Sequence, residues 1–139
     1  MKHAELTERI IAAFYQVYTT LGWSFLEKVY HLALLHELRK RGMMAEPNAK
    51  IEVFYDGVRV GEYFADLLVE GAVILELKSV EQLSPAHESQ LLNYLKATDS
   101  EVGLLLNFGQ KPQIKRKVYD ADLKPSRSMA PQDDAEGSS

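Results

Sequence analysis

The sequence predicts one α/β domain, a mixed β-sheet flanked by helices in the order α-α-β-β-β-α-β-β. Three observations lead there. Apolar residues near the N-terminus recur at helical spacing, the period changes to that of strands from Ile51 onward, and a further helical stretch then precedes a nearly continuous apolar run at Val102 to Phe108. Helices on both sides of a mixed sheet bury these faces together.

Each element follows from local chemistry. Leu6, Ile10, Phe14, Val17 and Leu21 form one stripe of a helix over residues 4–20, and Gly22 suits its C-terminal cap. A second helix is predicted from Ser24 to Arg41 with Leu26, Val29, Leu34, Leu35 and Leu38 inward. Arg39, Lys40 and Arg41 complement its dipole, and Gly42 stops it. Ile51 to Tyr55 reads as a strand, Asp56-Gly57 as a hairpin turn, and Val58 to Val69 as its partner. After Glu70-Gly71 a third strand runs from Ala72 to Val80. Ser84-Pro85 opens a helix carrying Leu91, Leu92 and Leu95 that ends near Thr98. Val102 to Phe108 reads as a strand covered on both faces, and Ile114 to Tyr119 as an edge strand. The domain is expected to occupy residues 1–120. Residues 121–139 are rich in proline, serine and acids without apolar periodicity, which predicts a disordered tail.

Composition narrows the function classes. The chain has 139 residues, enough for one domain with a real core. It lacks cysteine, which excludes disulfides, thiolate nucleophiles and cysteine-based zinc sites and fits a reducing cytoplasm. It has neither an apolar signal core nor a run long enough to span a membrane. The net charge of −4 argues against a broad basic surface, although residues 120–139 contribute five acids against two bases. The rest holds 15 acids and 14 bases, with local basic clusters at Arg39-Lys40-Arg41 and at Lys111 with Lys115-Arg116-Lys117.

The chemistry lies in the stretch Tyr63 to Lys78. Within the third strand Val73, Leu75 and Leu77 face one way, and Ile74, Glu76 and Lys78 face the other. A glutamate and a lysine in a central apolar strand are costly to bury uncompensated. Two readings follow: an ion pair at a sheet edge, or Glu76 as a ligand for a hard cation with Lys78 beside a charged reactant. Asp66 favours the second, since aspartate is depleted inside strands and here sits within Phe64-Ala65-Asp66-Leu67-Leu68. The register imposes a condition. A two-residue loop at Glu70-Gly71 would pair Asp66 with Leu75, on the wrong face, whereas a three-residue loop or a bulge would pair it with Glu76.

Asp66, nine residues, then Glu76-x-Lys78 is the PD-(D/E)XK pattern, and its surroundings resemble the GxxExxY protein family within that nuclease-like superfamily. Ser24-Phe25-Leu26-Glu27-Lys28-Val29-Tyr30 matches the defining motif with serine in place of its glycine. His87-Glu88-Ser89-Gln90-Leu91-Leu92-Asn93-Tyr94-Leu95-Lys96 matches the motif of the later helix. The resemblance covers about residues 3–119. It implies a restriction-endonuclease-like core and a Mg²⁺- or Mn²⁺-dependent nuclease. Asp66 and Glu76 would hold the metal with the Leu77 carbonyl, Lys78 would position or deprotonate water, and Gln90 would orient that water or Lys78. Glu27 would support or extend the metal site; Ser24 with Glu27 also reads as a capping box. Tyr30, His87 and Tyr94 are accessory candidates, Tyr30 more for packing than for catalysis and His87 equally a solvated first-turn residue. Gln90 and Tyr94, four apart, share a helix face. His3, His31 and His36 show no ligand spacing. The implied partner is nucleic acid, DNA before RNA. A homodimer is the expectation if duplexes are cut. A non-cleaving nucleic-acid-binding or protein-interaction module with the same fold is the rival.

Overall fold

The computed structural model describes residues 3–124. Helix α1 (Ala4–Leu21) and helix α2 (Glu27–Lys40) precede strands β1 (Ala45–Tyr55), β2 (Val58–Val69) and β3 (Val73–Lys78). Helix α3 (Pro85–Lys96), strand β4 (Val102–Phe108) and strand β5 (Pro112–Val118) follow. The element order is the one the sequence predicts. The strands lie β1-β2-β3-β4-β5 in a single sheet, antiparallel except for the parallel pair β3–β4. Helix α3 makes that parallel pair possible, because parallel neighbours need a long crossover.

The two faces carry different cores. Helices α1 and α2 bring Ile10, Phe14, Tyr30, Leu34 and Leu38 onto Val73, Leu75, Leu77 and the even-numbered positions Val102, Leu104, Leu106 and Phe108 of β4. Helix α3 lays Leu91, Tyr94 and Leu95 on Ile74, Leu105, Ala65 and Ile51. Every residue of β4 is buried, as a strand covered on both faces must be. The tightest packing is aromatic: Tyr30 stacks on Phe108 at 4.2 Å, and Phe14 meets the same ring at 4.7 Å.

Helix α2 departs from its predicted stripe. It starts at Glu27 rather than Ser24, and its N-cap Leu26 makes no side-chain cap bond, so the Ser24–Glu27 capping box does not form. Ser24 instead has φ of 93°, a left-handed conformation that glycine adopts most easily. The buried face is set by Tyr30 packing on Phe108 and takes in Tyr30, Leu34, Glu37 and Leu38, leaving Leu26 and Val29 exposed. Glu37 is compatible with that burial because Arg41 bonds its carboxylate, which holds its pKa below the ordinary value.

The α1–α2 connection hangs on Tyr30. Its hydroxyl donates to Gly22 O at 2.7 Å and accepts from Phe25 N at 3.2 Å. Tyr30 is fully buried and commits its polar group here, so its role is structural. Tyr30→Phe is expected to cost about 1–3 kcal/mol, since a part-buried carbonyl and an amide each lose one partner. Urea denaturation would show the loss as a lower midpoint with unchanged slope.

Further boundaries move: β3 spans Val73–Lys78 rather than Ala72 to Val80, and β5 spans Pro112–Val118 rather than Ile114 to Tyr119. β1 begins at Ala45 rather than Ile51, taking in Pro47, which an edge strand accommodates. At the C-terminus, Ala121–Leu123 form a 3₁₀ turn, and Lys124 Nζ donates to Thr98 O at 2.6 Å. The expected tail therefore starts no earlier than residue 125, and its remainder, 125–139, lies outside the described residues. Among the described residues no helix is long and apolar enough to cross a membrane.

Candidate metal centre

The site is built where two strands stop pairing. The β2–β3 ladder runs Val69↔Val73, Leu68↔Ile74 and Leu67↔Leu75 and ends there. At the tip, Val69 O accepts from Ala72 N at 2.9 Å while Val69 pairs with Val73, so Ala72 is the extra residue of a bulge. Glu70 and Gly71 turn the chain with φ of 54° and 62°. Glu70 tolerates this because its backbone N–H and its carboxylate both bond the Met44 peptide group. The bulge sets the register that aligns Asp66 with Glu76, the irregularity the metal-site reading requires.

Side chains replace the ladder beyond Leu67. Glu76 Oε2 accepts from Asp66 N at 2.8 Å, and Asp66 Oδ2 accepts from Leu77 N at 2.8 Å. Each carboxylate thus closes the gap with one oxygen, and neither second oxygen is hydrogen-bonded among the described residues. The β1–β2 ladder also skips here, between Pro47↔Leu67 and Ala49↔Ala65, where Asn48 has φ of 54°. Ala65 packs on the α3 face while Leu67 packs under α1 and α2, so the side-chain alternation breaks at Asp66.

This arrangement is electrostatically loaded. Burial pushes the Glu76 carboxyl up to about 8, and the Asp66 charge adds to that; the Asp66 backbone N–H and Lys78 oppose it, while Glu27 raises it further. Two carboxylates share a largely dry site with one lysine nearby. Lys78 is half-buried and makes no ion pair among the described residues, so its ammonium is available to a reactant.

The other predicted residues divide. Glu27 is exposed at the start of α2, near enough for its charge to act on Glu76. Gln90 Nε2 donates to Tyr94 Oη at 2.5 Å, and Tyr94 lies 5.7 Å from the Tyr63 ring. Burial first, then the charges of Glu76 and Asp66, raises the Tyr94 pKa, so this pair borders the site. His87 does not point at a reactant: its Nδ1 accepts from Ser84 N at 3.1 Å, and Ser84 Oγ accepts from His87 N, a capping box with histidine in the usual glutamate position. His31 was passed over by ligand spacing, yet its Nε2 lies 2.9 Å from Asp66 O, which assigns the hydrogen to that nitrogen. The available signal was its position one helical turn after Glu27, on the same face.

The donors suit a small hard cation. Mg²⁺ takes one or two carboxylates and fills its other positions with water and phosphate oxygens. Asp66 and Glu76 supply two oxygens left over from structural bonds, and a divalent charge relieves the buried Glu76 beside the half-buried Asp66. Among the described residues no group of three or more histidine, aspartate and glutamate side chains is placed to hold a metal ion, so protein side chains would supply two carboxylates at most.

A β2–β3 hairpin that splays at an aspartate and a glutamate, with a lysine two residues on and helices on both sheet faces, defines the class of PD-(D/E)XK proteins. The family model of the PD-(D/E)XK nuclease superfamily matches residues 4–117, and the chain belongs to that superfamily. The crystal structure of SSO0001 shares the fold with a TM-score of 0.51 at 21% identity. The match takes in 96% of this chain and 62% of that one, so this chain spans less than two thirds of its length. No curated protein matches the sequence.

Proposed function

We propose that this chain is a Mg²⁺- or Mn²⁺-dependent phosphodiesterase that hydrolyses nucleic acid, DNA before RNA, within the GxxExxY branch of its superfamily. The observation that carries the proposal is the mutual bracing of Asp66 and Glu76, which fixes two carboxylates beside an uncommitted Lys78. The metal would be held by Asp66, Glu76 and the Leu77 carbonyl, and when bound it supplies charge stabilisation at the phosphate and a more acidic water. Lys78 orients that water and carries positive charge toward the phosphate as negative charge builds on it. Gln90, bonded to Tyr94, would orient that water or Lys78. Glu27 would support or extend the metal site, and His31 holds the Asp66 peptide in place.

Titrating Mn²⁺ into the protein calorimetrically tests the centre. Wild type is expected to bind, and Asp66→Ala and Glu76→Ala, confirmed as folded by circular dichroism, are expected to lose at least tenfold in affinity. Unchanged affinity in both folded variants would remove the proposed ligands. The near balance of 15 acids and 14 bases outside the tail favours one second reading, a module that binds nucleic acid without cutting it. Salt-dependent binding with no metal-dependent turnover would establish that module instead.

A further inference from the structure

Two clefts flank the Asp66–Glu76–Lys78 group, and half-exposed aromatic rings stand in both. The first, about 690 Å³, has Trp23, Phe25, Glu27 and Ser79 in its wall. The second, about 1390 Å³, lies between the β1–β2 hairpin and α3 and includes Tyr63, Ala65 and Gln90. The first adjoins the end of β3, where Ser79 Oγ donates to Phe25 O at 2.8 Å, and the second meets β3 at Ile74, two residues before Glu76 on the same strand face. Trp23 is 50% exposed, Phe25 47% and Tyr63 48%; Phe25 and Tyr63 are held from beneath by Tyr30 and Tyr94, and each keeps about half its surface open to solvent.

We propose that the substrate is an unpaired nucleic-acid strand drawn across the centre, its bases stacked on Trp23 and Phe25 on one side and on Tyr63 on the other. This rests on the phosphodiesterase reading of the centre and names the strand it takes. The bases of a duplex already stack on one another and hide their faces, whereas each face of an unpaired strand is open to an aromatic ring. Duplex affinity comes largely from phosphate contacts by lysine and arginine. The cations of the hairpin are already engaged: Lys50 pairs with Glu62, and Arg59 pairs with Glu52 and Glu62. Lys117 is likewise held by Glu88 at 2.5 Å. With 15 acids against 14 bases outside residues 120–139 and the hairpin cations paired, the surface lacks the excess of positive charge that tracking two backbones requires. One strand also needs one centre, which removes the reason to expect a homodimer.

Trp23 is the one tryptophan in the chain, so its emission reports the first cleft without a label. The metal-free protein in EDTA would be titrated with a short oligothymidylate, an oligouridylate and a blunt duplex of similar length. Saturable quenching by a single strand at least tenfold tighter than by duplex is expected, and the two homopolymers rank DNA against RNA. Phe25→Leu and Tyr63→Leu, with unaltered melting, should each weaken that binding by about 5- to 100-fold, the effect of losing one stack. Duplex binding as tight as single-strand binding, or unchanged affinity in Tyr63→Leu, overturns the proposal. Cleavage measured separately with Mn²⁺ keeps the two readings apart. A strand bound but never cut retains the stacking and sinks the phosphodiesterase, while a duplex cut without single-strand binding does the reverse.

Discussion

Lys78→Ala is expected to lower the rate of metal-dependent phosphodiester cleavage by about 10²–10⁴-fold, the range for removing one positioned proton-transfer or charge-stabilising group. The same variant should bind Mn²⁺ within a few-fold of wild type, because its ammonium is not a ligand and forms no ion pair among the described residues. Stability should change little or rise slightly, since a half-buried, unpaired charge contributes little to folding. Single-turnover cleavage beside a calorimetric Mn²⁺ titration separates these effects. A Lys78→Ala protein that cuts at the wild-type rate would take the lysine out of the chemistry.

The second large effect is a pH dependence of stability in the metal-free protein. Glu76 has an ordinary value of 4.5 and is raised to about 8 in the fold, chiefly by burial and then by Asp66. The folded state therefore binds this proton more tightly than the unfolded chain. Its contribution is present in full below about pH 4.5, declines as pH rises, and is gone above about pH 8. The whole span is on the order of 5 kcal/mol. Urea denaturation at several pH values, with EDTA present, should show Glu76→Gln free of this decline, so that the difference between variant and wild type isolates the carboxyl from the other acids. Equal pH profiles would mean that Glu76 titrates normally. Metal binding must displace the same proton, so Mn²⁺ affinity should rise roughly tenfold per pH unit between about pH 6 and 8 and then level off. Saturating Mn²⁺ should correspondingly restore stability on the alkaline side.

Periodicity made most of the architecture legible. The spacing of Ile10, Phe14 and Val17 identified α1 and its buried face, and the unbroken run in β4 announced a strand with cover on both sides. Ser84-Pro85 marked the first turn of α3 because capping is a local interaction. Local rules failed where competition was settled at a distance. Ser24 with Glu27 reads as a capping box, yet Tyr30 draws the preceding loop onto its hydroxyl, which leaves Ser24 left-handed and delays the helix to Glu27. Leu26 and Val29 were assigned to the core by spacing, but the packing of Tyr30 against Phe108 chose a different face.

The candidate site divides along the same line. Sequence alone determined which residues could carry charge chemistry, since an aspartate and a Glu-x-Lys inside apolar strands require a compensating purpose. It also reduced their meeting to one question, the length of the loop after Val69. Tertiary structure decided that question through the Ala72 bulge and the bonds from Glu70 to Met44. It also supplied what no spacing encodes: the exchange of carboxylate bonds between Asp66 and Glu76, and His31 reaching the Asp66 carbonyl from another element. A period records which face a side chain takes along its own strand or helix. Contacts between elements depend on register and approach, which are fixed only when the elements pack against one another.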